Sequence, residues 1–220
     1  MKKAILVVLI LVLAGSAGAS RVSVGVWGGL RTGEFAPSLG RFSSSSLRTV
    51  TANELGGQVA WEAWKPLSIR ARLSRISGCI SYEENPRSPY GEPVERFELK
   101  GYPFALEVLP AFQVGEKVLI RAGGGVSFYD LTGVQTFFVG GWDNIYTTPE
   151  FSIKGRGAQF LVSVEGMFWK NIGLEANYEK GAARFKCSFS PYITVGDFDR
   201  INEDYATTIE AYRLGLAYHF

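Results

Sequence analysis

The chain contains a single histidine, which is the side chain best suited to acid–base chemistry near neutral pH. His219 is the penultimate residue, and no acidic residue stands close to it in the sequence. A general base must reach the hydroxyl or water that it activates, so a partner for His219 would have to come from another part of the fold. We predict that His219 is a structural residue and that the chain is not an enzyme and has no catalytic residue.

Metal and cofactor chemistry finds little support either. One histidine and two widely separated cysteines do not make a zinc-type ligand cluster. Gly123-Gly124-Gly125 lacks the Lys-Ser/Thr pair and the helix of a phosphate loop, and inside a strand it favours room for a large neighbour or a sharp bend. We therefore predict no cofactor and no metal. The acidic residues of the candidate loops lack calcium-loop spacing: Glu83, Glu84, Asp197, Asp199, Glu203 and Asp204.

The chain begins with the pattern of a cleaved secretory signal peptide, residues 1–19. Two lysines precede the apolar run Ala4–Ala14, and the small residues Ala17-Gly18-Ala19 follow. Cleavage there leaves one domain, residues 20–220. Loss of the two lysines lowers the basic count from 23 to 21, equal to the 21 acidic residues. A neutral chain argues against nucleic acid as a partner, because phosphate binding needs a basic excess.

Apolar residues alternate with polar or small ones along the rest of the chain, which indicates β-strands. Eight such stretches can be counted, from a first strand that ends near Arg31 to a last one at Arg213–Phe220. Short turns alternate with long loops, as is typical of transmembrane barrels. The pattern predicts an all-β fold, an eight-stranded antiparallel up-and-down transmembrane β-barrel with short periplasmic turns and long external loops. An even strand number places both termini in the periplasm.

The two longest predicted loops are the third, Leu131–Arg156, and the last, Lys180–Thr208. Arg184–Val195, within the last loop, also alternates. We interpret it as a strand extension above the membrane. If it crossed the membrane instead, the strand count would change and the argument about the termini would fail.

The final eight residues have the spacing polar, any, Gly, any, any, apolar, any, aromatic, and the chain stops on the aromatic residue. This segment resembles the C-terminal targeting strand of bacterial outer-membrane barrels. The resemblance implies an assembly signal that is read by the barrel-assembly machinery. Its residues are Arg213, Gly215, Tyr218 and Phe220.

One face of the predicted strands is charged, although the opposite face is apolar. In a barrel the apolar face meets lipid, and eight strands enclose an interior that side chains can fill. Unpaired buried charge is costly, so we predict an ion-pair network that plugs the barrel. A solvated face of a soluble barrel and charges that gate a pore are the alternatives. The predicted network consists of Glu62, Arg70, Arg72, Glu107, Arg121, Glu165, Glu175 and Arg213.

The whole mature chain resembles the small OmpA-type eight-stranded outer-membrane barrels, a group that includes OmpX-like and OmpW-like proteins. The terminal pattern, the leader and the alternation of loops and turns carry the resemblance. It implies an outer-membrane location and contact with outer-membrane lipid and lipopolysaccharide, and we also expect a monomer. It further implies a periplasmic aromatic girdle (Trp64, Phe112, Trp169, Tyr218, Phe220) and an outer one (Tyr82, Phe97, Phe128, Tyr129, Tyr178, Tyr212), although Tyr129 has inward parity.

Three features stay open at this stage. Trp27 has inward parity, so either the first strand contains a bulge or Trp27 packs inside the barrel. Cys79 and Cys187 are a candidate disulfide if the last loop folds across the barrel mouth. The third loop is rich in aromatic residues, which either form a contact surface or pack into the outer girdle: Phe137, Phe138, Trp142 and Tyr146.

The functional expectation is a non-enzymatic outer-membrane barrel with a side-chain-filled interior, which acts in envelope integrity or surface interaction through its external loops. The alternative is a small porin or transporter for apolar solutes, as in OmpW-like proteins. A lipid-modifying enzyme is disfavoured, because barrel enzymes of that kind place a histidine in the outer half. A Ser or Asp within hydrogen-bond reach of His219 would revive it.

Overall fold

The computed structural model describes residues 22–36, 48–64, 66–82, 95–138, 145–147, 150–189 and 201–220. The predicted signal peptide, residues 1–19, lies outside these ranges. Within them, no helix is long and apolar enough to cross a membrane.

Ten β-segments make up the described structure. Pro103 interrupts one wall strand of the barrel, because proline has no N–H to donate, and splits it into the segments β4 and β5. The backbone still pairs across this break, where the Tyr102 amide donates to the Asp130 carbonyl over 3.0 Å. The segments are β1 (Val22–Ala36), β2 (Arg48–Trp64), β3 (Leu67–Tyr82), β4 (Glu95–Gly101), β5 (Phe104–Val114), β6 (Val118–Phe138), β7 (Ile145–Thr147), β8 (Phe151–Met167), β9 (Ile172–Phe189) and β10 (Ile201–His219).

The wall is a closed ring of eight antiparallel strands. Each strand pairs with its neighbour in the chain, and β1 closes the ring by pairing with β10, from Ser23 opposite His219 to Gly33 opposite Ile209. The short β7 pairs only with the end of β6 and adds no strand to the ring. The predicted eight-stranded up-and-down barrel is therefore confirmed.

Three tight connections lie at one end of the barrel, which we call the lower end. They join β2 to β3, β5 to β6 and β8 to β9. Gly115 in the second connection has a φ of +65°, a left-handed conformation that favours glycine. The first and last strands also meet at the lower end, where the Phe220 amide donates to the Val22 carbonyl over 2.9 Å. The opposite end is the upper end.

The strands extend further towards the upper end than the sequence predicted. β6 continues to Phe138, and β9 and β10 stay paired as far as Phe189 and Ile201. The predicted loops Leu131–Arg156 and Lys180–Thr208 were therefore too long. The extension predicted from Arg184 is present up to the end of β9, and residues 190–195 lie outside the described residues. It adds no wall strand, so the count stays at eight.

The inside of the barrel has two layers, and the upper one is apolar. At its centre, the Phe185 ring centroid lies 5.1 Å from that of Tyr129 and 5.6 Å from those of Phe35 and Tyr205. We call this cluster the upper core. Its buried members are Phe35, Val50, Ala52, Ile76, Phe97, Leu99, Tyr129, Leu131, Phe151, Ile153, Ala183, Phe185, Cys187 and Ile209.

The outer surface changes in the opposite direction along the barrel, from apolar in the lower part to polar in the upper part. Outward side chains in the lower part of the wall are mostly apolar and exposed, and together they form an apolar band. Above the band the outward positions become mostly polar or charged, which is why the apolar alternation fades there in the sequence. The change falls between consecutive outward residues on every wall strand: Leu30/Thr32, Leu55/Asn53, Leu73/Arg75, Tyr102/Lys100, Phe128/Asp130, Ala158/Arg156, Tyr178/Lys180 and Tyr212/Glu210.

Candidate functional site

The lower layer of the interior is a buried ion-pair network, which we take as the candidate functional site. All of its guanidinium and carboxylate groups project from inward positions of the wall and are almost fully buried. Each arginine lies within ion-pair distance of two glutamates. The network residues are Arg31, Arg70, Arg72, Arg121, Arg213, Glu54, Glu107, Glu165, Glu175 and Glu179.

Arg70 lies at the centre of the network. Its Nε is 2.7 Å from Glu107 Oε2, and its Nη1 is 2.7 Å from Glu175 Oε1. Glu107 also pairs with Arg72, the next inward residue of β3. These contacts join β3, β5 and β9 across the lumen. A buried arginine paired in this way is compensated, whereas an unpaired one would carry a large desolvation penalty.

The upper part of the network lies directly beneath the upper core. Arg31 Nη2 is 2.9 Å from Glu54 Oε1, and Arg31 Nη1 is 3.1 Å from Glu179 Oε1. Arg31 Nη1 also donates to the Tyr129 hydroxyl over 3.0 Å. Arg213 contacts the same two carboxylates, at 3.0 Å from Glu54 and 2.8 Å from Glu179. The hydroxyl of Tyr129 therefore links the ionic layer to the apolar one.

Trp27 packs inside the barrel, and β1 pairs with β2 and β10 without a bulge at this position. Its ring lies 4.9 Å from the guanidinium carbon of Arg213 and 6.0 Å from that of Arg72, which are cation–π distances. Two glycines make space for the ring. A Cβ on Gly56 would lie 2.5 Å from Trp27 Cζ2, and a Cβ on Gly215 would lie 2.5 Å from Trp27 Cβ.

The lower part of the network reaches the lower mouth of the barrel. Arg121 Nη1 is 2.7 Å from Glu165 Oε2, and Glu165 Oε1 is 2.5 Å from His219 Nε2. His219 also lines a cavity of about 770 Å³ that opens at this end. Among the described residues no Ser or Asp hydrogen-bonds to His219, and its acidic partner is a glutamate that is already tied to arginine.

Taken together, the ion pairs form one unbroken chain through the lower layer. It runs from His219 through Glu165, Arg121, Glu175, Arg70, Glu107, Arg72 and Glu179 to Arg31, Arg213 and Glu54. Four neutral side chains also hydrogen-bond to its carboxylates: Gln58, Ser74, Gln159 and Ser163.

The glycine run of β6 provides the room that the sequence suggested. A Cβ on Gly125 would lie 2.8 Å from Glu107 Cγ, and one on Gly123 would lie 3.1 Å from Leu109 Cδ2. Both glycines face inward, opposite large buried side chains of β5. A larger residue at Gly125 would collide with Glu107 of the network, and one at Gly123 would collide with Leu109.

The structure brings together seven of the eight residues that the sequence assigned to the network. The exception is Glu62, which is half-buried at the lower cavity and has no ion pair within the described part of the chain. Three network members were missed: Arg31, Glu54 and Glu179. The parity of the strands carried the signal, because Glu54 lies four residues before the inward Gln58 and Glu179 four residues after Glu175.

The terminal pattern divides between the two faces of the wall. Arg213 belongs to the network, and Gly215 faces inward against Trp27. Tyr218 and Phe220 point outward at the lower end of the apolar band, with ring centroids 4.9 Å apart. Their part in assembly remains a prediction.

The two cysteines do not form the candidate disulfide. Cys79 is exposed on the outward face of β3, whereas Cys187 is buried in the upper core. Their side chains therefore lie on opposite sides of the wall. The prediction placed both above the membrane without comparing the parity of the two cysteines on their strands.

Two parts of the aromatic prediction also change. Phe97 and Tyr129 belong to the upper core and not to an outer girdle, since both point inward. Phe137 and Phe138, which the sequence assigned to the third loop, are the last two residues of β6, and Phe137 is opposite Tyr146 of β7. Trp142 lies outside the described residues. The first residues of the predicted contact surface therefore belong to a paired strand and not to a loop.

Comparison with known proteins identifies the fold. No protein-family model and no curated protein matches the sequence. Among solved structures, the outer membrane protein OprG from Pseudomonas aeruginosa aligns with a TM-score of 0.53 and 12% identity, over 90% of this chain and 95% of OprG. A major outer membrane protein from Thermus thermophilus aligns with a TM-score of 0.52 and 14% identity, over 92% of this chain and 100% of that protein. The chain thus has the fold of small outer-membrane β-barrels.

Proposed function

We propose that this chain is a non-enzymatic integral outer-membrane protein whose barrel is closed by its own side chains. The observation that carries the proposal is the filled interior. The unbroken chain of ion pairs occupies the lower layer, and the upper core occupies the layer above it. A barrel filled in this way offers ions no aqueous path. Its role then lies in its outer wall and upper end, in envelope integrity or surface interaction.

The apolar band supports insertion into a membrane. Leu55, Val26 and Leu214 are 69%, 63% and 57% exposed on the outer wall, and similar side chains surround the barrel. Soluble proteins rarely expose a continuous apolar surface of this extent. Lipid would cover it and remove the exposed area from water.

The first test is mobility on gels. Protein from purified outer membranes should migrate as a compact species when unheated and more slowly after boiling, because closed barrels resist detergent until heat unfolds them. A soluble periplasmic protein with no such shift would contradict the membrane proposal.

The second test is conductance. Protein that shows the heat-dependent shift should insert into planar lipid bilayers without producing a stable ion current. A reproducible single-channel current would overturn the closed-barrel proposal and leave membrane insertion intact.

Transport of apolar solutes is the second candidate function, and the apolar lining of the upper interior favours it. The close packing of the upper core argues against it, because Phe35, Leu131 and Phe185 are fully buried inside the barrel. The two functions differ in one measurement. Proteoliposomes should take up an apolar dye no faster than protein-free vesicles if the barrel is closed, whereas faster uptake would favour transport.

A role as a lipid-modifying enzyme depends on His219. Its contact with Glu165 is the one arrangement near it that resembles a catalytic pair. We propose that this contact is structural, because Glu165 also pairs with Arg121. His219→Gln should then leave the lipid composition of the outer membrane unchanged in a strain that expresses the variant at normal levels.

A further inference from the structure

Four basic side chains form a patch on the outer wall directly above the apolar band. Lys154 and Arg156 project outward from β8, and Arg184 and Lys186 project outward from β9. All four are exposed. On β8 the patch begins where the band ends, because Arg156 is the first outward residue above Ala158. We call these four residues the β8–β9 basic patch.

The register of the two strands sets like charges against each other. Lys154 lies opposite Lys186, and Arg156 lies opposite Arg184. Side chains of directly opposed residues on one face are close neighbours, and like charges there destabilise a sheet. Two such pairs in succession are therefore unfavourable unless an anion lies between them.

None of the four cations of the patch forms an ion pair within the described part of the chain. Asp130 and Asp204 lie across the neighbouring strands from the two lysines, without forming ion pairs to them. The arginines lack even that neighbour, because Arg156 lies opposite Phe128 and Arg184 opposite Ala206.

Other outward bases of the upper half do have carboxylate partners. Arg96 is 2.8 Å from Glu98, Lys180 is 2.8 Å from Glu210, and Lys100 pairs with Glu150. Arg75 on β3 also forms no ion pair within the described residues, but it lies opposite Leu55 and not opposite another base. The β8–β9 basic patch differs from all of these bases because four cations without ion pairs are grouped on two neighbouring strands.

We propose that the β8–β9 basic patch binds the phosphate groups of an anionic lipid in the leaflet at the upper end of the barrel. The inference rests on the membrane insertion proposed above. Guanidinium groups bind phosphate oxygens in a two-pronged geometry, and the patch lies at the height where head groups follow the apolar band. Ala158 and Ala182, opposed directly below the arginines, are too short to cover them. A bound phosphate would relieve the repulsion within both pairs.

The test uses the folded protein in neutral detergent, titrated with phosphorylated lipid A and with its dephosphorylated form. Arg156→Gln/Arg184→Gln should weaken binding of the phosphorylated lipid about 25-fold, because each basic side chain at an anionic lipid surface contributes about fivefold. The control Arg96→Gln/Lys100→Gln removes two bases that are already paired and should change the affinity less than about threefold.

Three outcomes would overturn the proposal. They are equal losses in both double variants, equal binding of the dephosphorylated lipid, and displacement of the lipid by inorganic phosphate at the same concentration. The heat-dependent mobility shift is measured for each variant, so loss of the barrel itself is recognised separately as a failure of the underlying membrane proposal.

A charge reversal provides a second, independent test. Arg184→Glu converts the like-charged pair with Arg156 into an opposite-charged one. The unfolding midpoint in neutral detergent should rise, while binding of phosphorylated lipid A should weaken more than in Arg184→Gln. If the midpoint does not rise, the two arginines do not repel each other in the free protein and the argument from unpaired charge fails.

Discussion

At the scale of single residues, the barrel interior depends on matched partners. Glu107 connects Arg70 and Arg72, and no other carboxylate contacts both of these arginines among the described residues. A buried ion pair adds little stability compared with apolar packing, but removal of one member leaves an uncompensated charge. The network is therefore sensitive to single substitutions although it is neutral as a whole.

We predict that Glu107→Gln lowers the free energy of unfolding by about 3 to 5 kcal/mol, because two buried guanidinium groups lose a charged partner. Urea titration of the protein in lipid vesicles, followed by the gel-mobility shift, measures this change. The matched control is Glu98→Gln, which removes an exposed pair with Arg96 and should change stability by less than about 1 kcal/mol. Equal effects would mean that the interior charges are hydrated.

A second prediction concerns the space around Trp27. In Gly56→Ala the new Cβ would lie 2.5 Å from the Trp27 ring and 2.6 Å from the Leu73 carbonyl, and neither atom is easily displaced. Overpacking of this kind costs about 1 to 3 kcal/mol. The neighbouring Gly57→Ala meets nothing closer than a carbonyl oxygen at 3.5 Å, so its urea midpoint should match that of the native protein. A normal midpoint for Gly56→Ala would mean that Trp27 can move.

At the scale of the strand, the inward face and the outward face both change character at about the same height of the barrel. Below the switch the outward residues are apolar and the inward ones charged, and above it the outward residues become mostly polar and the inward ones apolar. β10 shows both patterns. Below the switch Leu214 points outward and Arg213 inward, and above it Glu210 points outward and Ile209 inward. A single strand therefore encodes where the apolar surroundings end.

The switch on β10 can be tested with one substitution at two positions. Leu214→Arg places a charge within the apolar band and should cost about 2 to 4 kcal/mol in lipid. Thr208→Arg places the same side chain above the band on the same face, where we expect almost no loss. Urea unfolding in vesicles compares the two. A similar cost at both positions would mean that lipid contacts extend higher than the band.

At the scale of the whole molecule, the two interior layers are different kinds of core. The lower layer is held by charges across the lumen, and the upper one by aromatic and aliphatic packing. The Tyr129 hydroxyl is a point of contact between them. The upper layer resembles the core of a soluble barrel carried above the band.

Truncation of the upper core should loosen the upper end first. Phe185→Ala removes the ring that contacts Tyr129, Phe35 and Tyr205 and should cost about 3 to 5 kcal/mol. We expect faster hydrogen exchange in the upper parts of β9 and β10, with the lower parts protected by lipid. Phe185→Leu, which keeps most of the volume, should have a smaller effect. Uniform exchange along both strands would show that the layers unfold together.

The sequence by itself determined the number of wall strands, their order and, for most of the network residues, the face on which the side chain lies. These properties are local, because the pleat of a strand alternates its side chains whatever it pairs with. For that reason seven network residues were identified correctly, and Arg31, Glu54 and Glu179 were within reach of the same parity rule. The loop bounds failed because, above the band, the outward positions change from apolar to mostly polar while the inward ones change from charged to apolar.

Only the tertiary structure decided which charges meet. Arg213 and Glu54 are 159 residues apart, and Arg31 and Glu179 are 148 apart, so their contact depends on the closure and register of the whole ring. The inward position of Cys187 and the exposed position of Cys79 likewise became clear only when both strands were in place. The opposition of Arg156 and Arg184 in the β8–β9 basic patch is a consequence of register too, since a shift of two residues between β8 and β9 would separate them.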